Sequence, residues 1–198
     1  MKHSITAAIM AAGLAFGAGG AFAATLGLTT AAPSLSSSTG LISYFDVDPD
    51  GDLSTGGAEV DATDGVSPSG FTEIGFGVGF SLADPTTGLT GGFDVFDDDG
   101  LFLGGDLFAV GFTEDVIELH FNNLSGSGAS AFGTSVLALI VFDDPLGANP
   151  FAALLDGDEL GASITISDVV APIPLPAGLP LLLAGLLGLG LVRRSGAG

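Results

Sequence analysis

Asp46-Val47-Asp48-Pro49-Asp50-Gly51-Asp52-Leu53 is the segment whose residue types and spacing come nearest to chemistry. Carboxylates at alternate positions, a glycine at the sixth and an aliphatic residue at the eighth match the first half of a calcium-binding loop. In such a loop the alternate side chains of a tight turn converge on one centre. The pattern fails at its last ligand position: a bidentate Glu belongs where Gly57 stands, and Glu59 follows two residues later. No amphipathic helices flank the segment. The expectation is a calcium loop on a β scaffold, with Asp46, Asp48, Asp50 and Asp52 as ligands and Ca2+ as the candidate cofactor, or else a solvated acidic turn. A second cluster, Asp94, Asp97, Asp98, Asp99 and Asp106, gathers like charges that a hard cation would relieve, at less diagnostic spacing. Asp143-Asp144 and Asp156-Gly157-Asp158-Glu159 read as ordinary loop acids.

Other chemistries find little support. The chain has no Cys, which excludes a disulfide scaffold, an Fe–S site, a Cys-based zinc site and a cysteine nucleophile. His120 is the one histidine beyond the N-terminal leader and reads as a structural or surface residue on a strand. A Ser-His-Asp triad has no identifiable partners. Glu114 and Glu118 are formal candidates for paired glycosidase carboxylates. One Tyr and no Trp leave few aromatic platforms for a sugar cleft. We therefore expect no enzyme and no catalytic residue.

The charges are segregated. The 198 residues hold 3 Lys+Arg against 23 Asp+Glu, a formal charge of −20. The basic residues are Lys2, Arg193 and Arg194, and every acid lies between Asp46 and Asp168. Residues 24–192 thus carry no permanent cation, and His120 is the sole possible ion-pair partner. That balance argues against nucleic acid, whose backbone needs Lys and Arg. It points to a salt-adapted surface or to divalent cations supplying the missing positive charge.

The body of the chain reads as all-β. From Gly40 onward, short apolar runs alternate with Gly, Asp, Pro and Ser clusters, the pattern of a single antiparallel β-sandwich or jelly-roll-like domain over residues 24–170. The clearest strand is Glu73–Ala83. Ile74, Phe76, Val78, Phe80 and Leu82 fall on one face, and Gly75, Gly77, Gly79 and Ser81 on the other. A bare glycine face permits close approach of another backbone or a flat ligand. Further strands are expected at residues 41–45, 92–96, 107–113, 116–122, 135–142 and 160–170. One helical turn is expected at 149–155, with Asn149 as N-cap and Pro150 as first helical residue. Residues 24–40 read as a flexible start or a first irregular strand.

Both ends look like addresses. Lys2 and His3 precede an apolar run, and Ala21-Phe22-Ala23 supplies small residues before a cut ahead of Ala24. That is the layout of a secretory signal peptide over residues 1–23, the substrate of signal peptidase. At the other end, Ala171–Pro180 is proline-punctuated and extended. An apolar helix over 178–192 and Arg193-Arg194 follow, the arginines fitting a cytoplasmic end. Fifteen helical residues reach about 22 Å, short of a ~30 Å hydrocarbon core. Residues 173–192 are long enough to span.

The order of proline motif, Leu/Gly-rich helix and terminal arginines resembles the VPLPA-CTERM variant of PEP-CTERM protein-sorting signals. Ile173-Pro174-Leu175-Pro176-Ala177 stands where that family has Val-Pro-Leu-Pro-Ala, with Ile for Val. The resemblance covers about 25 residues at 171–198 and is specific as a combination. It implies recognition by an exosortase, a membrane protease of Gram-negative bacteria that make exopolysaccharide, through Pro174, Leu175, Pro176, Ala177, Arg193 and Arg194. A plain membrane anchor remains open. Leu175-Pro176-Ala177-Gly178 lacks the Thr of a sortase signal. The resemblance implies destination, not activity: an exported cell-envelope, surface or matrix protein of structural or interaction type. The alternative is a calcium-dependent module that binds exopolysaccharide.

Overall fold

The computed structural model describes residues 25–170. The expected signal peptide, the Ala21, Ala23 and Ala24 cleavage site, and the sorting tail with its helix at 178–192 lie outside the described residues. Nine antiparallel strands run β1 (Thr29–Val47), β2 (Asp50–Glu59), β3 (Ala62–Asp64), β4 (Glu73–Ser81), β5 (Thr90–Asp97), β6 (Gly100–Phe112), β7 (Val116–Ser125), β8 (Val136–Phe142) and β9 (Glu159–Val170). One helical turn, α1 (Pro150–Ala153), precedes β9.

The all-β, antiparallel expectation holds, but the strands do not divide into the two packed sheets of a sandwich. They form one sheet in the order β2-β4-β5-β6-β7-β8-β9-β1-β3, and β1 also pairs with β2. That last pairing, Ser43 with Ser54 through Val47 with Asp50, closes eight strands into a barrel. β3 stands outside the ring beside Ser34–Ser36 of β1. Closure demands strong curvature, and β1 supplies it through irregularities between Ala31 and Ser34 and between Ser37 and Gly40.

Period-2 alternation explains how the barrel is filled. β4 turns Ile74, Phe76, Val78 and Phe80 inward, and all are buried. Leu82, expected on the same face, lies past the end of the strand and is 38% exposed. Phe93 and Phe121 meet across the interior with ring centroids 4.6 Å apart. An eight-stranded barrel is just wide enough for such side chains, so this interior is a packed core. α1 forms where Asn149-Pro150 led us to expect it. Its Phe151 plugs one end edge-on against Phe80 at 4.7 Å and Phe112 at 5.5 Å. Phe132, fully buried, seals the other end. Thr29 and Val170 are paired neighbours, so the chain enters and leaves the barrel at one rim.

Two glycines on the outer face behave oppositely. A Cβ on Gly77 would meet nothing within 4 Å, whereas one on Gly92 would lie 2.3 Å from the Gly105 carbonyl oxygen. Glycine in a strand costs roughly 0.5–1 kcal/mol relative to alanine. Gly77→Ala is therefore expected to hold or raise stability, and Gly92→Ala to lower it. Phe76→Ala is expected to cost about 3–5 kcal/mol by emptying the core. Urea denaturation of the three variants checks this, and a destabilised Gly77→Ala with an unaffected Phe76→Ala means that the two faces of β4 are assigned the wrong way round.

Candidate functional site

The acidic segment at 46–52 is a hairpin. Asp46 pairs with Gly51, Val47 with Asp50 and Phe45 with Asp52. Directly opposed residues of an antiparallel pair share a face. Gly51 faces inward, where a Cβ would meet the Phe80 ring at 2.9 Å, so Asp46 belongs to the inner rim. Asp50 and Asp52 belong to the outer face, and Asp48 sits in the turn between the strands. The register thus separates the carboxylates that a calcium loop must converge. Asp46 is committed elsewhere: the Tyr44 hydroxyl donates to its carboxylate, and its own N–H donates to Asp156 Oδ1 at 3.0 Å. Burial first, and then this bond, raise the Tyr44 pKa. Among the described residues, no group of three or more His, Asp or Glu side chains is placed to hold a metal ion.

The second acidic cluster also divides. Asp97 closes the turn between β5 and β6, accepting the N–H groups of Asp99 and Ser69, both at 2.9 Å. Asp98 lies beside Gly70. Asp94 and Asp106 stand apart from these, on the outer barrel face. The Asp106 carboxylate accepts from Asn123 Nδ2 at 3.0 Å.

That outer face is the structure's most distinctive surface. Three adjoining hollows share Gly77. Together they form a shallow trough across β2, β4, β5, β6 and β7, floored by Gly75, Gly77, Gly92 and Gly105. Glu73, Asp94, Asp106 and Asp52 supply acceptors along it, and Ser54, Thr90, Asn123 and Ser125 supply hydroxyl and amide groups. Two phenylalanines that alternation turns outward flank it: Phe45 is 48% exposed and Phe96 46%. The bare β4 face was legible in the sequence. The two flanking rings were not, because nothing local marks a strand phenylalanine as outward until the register is known.

The remaining functional candidates are scattered. Glu114 lies in the β6–β7 turn and Glu118 on the outer face of β7, where its carboxylate accepts the Leu26 N–H at 2.6 Å. His120 is part-buried on the same face. No protein family, curated protein or solved structure matches the chain.

The hairpin geometry makes a distinction between ions measurable. Sodium chloride is expected to raise the melting temperature by screening the acids, with a Debye length of ~10 Å at 0.1 M. Calcium at matched ionic strength is expected to add no further increment that Asp48→Ala plus Asp50→Ala removes. A calcium-specific rise abolished by that double substitution, read by thermal scanning, means that the hairpin rearranges to bind the ion.

Proposed function

We propose that the chain is an exported bacterial surface or matrix protein of structural or interaction type, delivered by its two terminal signals and displaying the barrel as its working part. What carries this reading is the order of the chain. Among the described residues the core side chains lie between Leu35 and Ile166, and the leader and sorting motifs of the sequence fall before and after them. Thr29 and Val170 lie at one rim of the barrel, and Asp48, Asp115, Asp144 and Asp158 lie at the other. Mass spectrometry of surface material tests the delivery. The expected mature chain starts at Ala24 and lacks Arg193 and Arg194. An intact C-terminus in mature material leaves the tail as a plain anchor.

A second reading, exopolysaccharide binding, is favoured by one observation: the exposed Phe45 and Phe96 flank a flat floor lined with carboxylates and hydroxyls. Sugar rings stack their apolar faces on aromatic rings and present hydroxyls to acceptors, as in the usual balance of apolar and polar groups in binding sites. Affinity electrophoresis in exopolysaccharide is expected to retard the protein. Phe45→Ala and Phe96→Ala should each weaken retardation about tenfold, the effect of ~1.4 kcal/mol, with melting temperature unchanged. Equal retardation of all three proteins rules out the trough as the contact, and an arm with chelator shows whether calcium takes part.

A further inference from the structure

β9 and β4 fill their outward positions with small or polar residues: Ser163, Thr165 and Ser167 on one, glycines on the other. The second half of β1 departs from this. Leu41, Ser43, Phe45 and Val47 share its outer face, opposite the buried Ile42 and Tyr44. Leu41 is 52% exposed and Val47 56%, as open as Phe45 between them. At a rise of about 3.3 Å per residue, the stripe from Leu41 to Val47 is about 20 Å long. The loop after α1 is tied to the same stretch, Gly157 N–H donating to the Tyr44 carbonyl at 3.0 Å and Asp46 N–H to Asp156 Oδ1 at 3.0 Å. That loop carries Leu155, 68% exposed.

Carboxylates line both sides of the stripe. On the β2 side Phe45 is paired with Asp52 and Val47 with Asp50, and directly opposed residues share a face. On the β9 side Ser43 is paired with Glu159 and Leu41 with Gly161. A Cβ on Gly161 would lie 2.3 Å from Asp143 Oδ2, so the Asp143 carboxylate stands over that glycine, next to Leu41. An exposed apolar surface with a polar rim marks an interaction site, and the sign of this rim selects what covers it. The barrel of a second copy brings only more acids, because residues 24–192 hold no Lys or Arg. An anionic lipid surface is repelled in the same way.

We propose that the outer face of β1 from Leu41 to Val47 docks a cationic amphipathic segment of another protein, one in which apolar side chains alternate with Lys or Arg. The apolar side chains cover Leu41, Phe45 and Val47 and supply the affinity. The basic ones meet Asp50 and Asp52 on one side and Asp143 and Glu159 on the other, which sets orientation and speeds encounter. The backbone of this stretch is already paired with β2 and β9, so the partner lies across the face and adds no strand to the sheet. Such a partner rests on the interaction reading above, and binding by the purified full chain holds or fails whatever happens at the two ends.

Fluorescence anisotropy with labelled synthetic peptides tests the docking face. A peptide alternating Lys and Leu is expected to bind the full chain at least tenfold more tightly than one of the same length and charge alternating Lys and Ser. A peptide alternating Glu and Leu is expected not to bind. Leu41→Ser combined with Val47→Ser should abolish the preference for the leucine peptide without moving the melting temperature. Phe108→Ser, which removes a ring 60% exposed on β6, should leave it intact. Should the double variant not fold, Asp50→Asn combined with Asp52→Asn is expected to weaken the Lys-Leu peptide several-fold. Equal binding of the Lys-Leu and Lys-Ser peptides, binding of the Glu-Leu peptide, a preference that survives the double variant or falls equally in Phe108→Ser, or no binding at all overturns the proposal.

Discussion

A chain with 23 acids and no Lys or Arg between residues 24 and 192 cannot be held together by ion pairs. Everything else in the fold answers to that constraint. Its mutual repulsion opposes compaction, so cohesion has to come from the apolar interior and from the backbone ladder. Closing the sheet serves both. It wraps Phe76, Phe80, Phe93 and Phe121 in a complete ring of strands, and it gives the strands of that ring two neighbours each, which limits the exposed edge available to another chain.

The carboxylates find partners other than cations. Among the described residues eight of them, Asp46, Asp61, Asp84, Asp97, Asp106, Glu118, Asp156 and Asp158, accept hydrogen bonds from backbone N–H groups, hydroxyls or an amide. Bonds from Ser38 and Thr86 lower the pKa values of Asp61 and Asp84. Their contribution is complete above the ordinary carboxylate pKa and is lost as pH falls through the lowered values. Asp168 behaves oppositely: burial raises its pKa, so its ionisation weakens the fold toward neutrality. Much of the acidic character is thus turn and loop architecture, which accounts for the dispersal of residues that looked in sequence like ligands.

The alternation in β4 and β7 was legible because apolar and polar residues trade places without interruption. The uninterrupted apolar run in β8 suggested burial on both faces, but the outer face is buried only at Leu137, half-buried at Leu139 and exposed at Val141. β2 was hidden, because Asp50-Gly51-Asp52 looks like a loop. Its pairing with β1 through Tyr44 and Leu53 and with β4 along most of its length makes it a strand. β1 was legible only in part, since the Ser- and Thr-rich stretch before Gly40 is weakly patterned and is held by β9. Sandwich and barrel share the same local alternation. The difference lies in the five residue pairs between β1 and β2, a long-range closure that no local pattern announces.

The candidate surface lies on the outside of this ring, where β4 keeps Gly77 although alanine would fit. A glycine that neither sterics nor a left-handed backbone requires is a cost the fold carries at the floor of the trough. Backbone amide shifts recorded while exopolysaccharide is titrated into the protein test that claim most directly. Shifts concentrated at Gly75, Gly77, Gly92 and Asp94 are the result this account predicts. Shifts confined to the Asp46–Asp52 hairpin, or spread evenly over the acidic rim, contradict it.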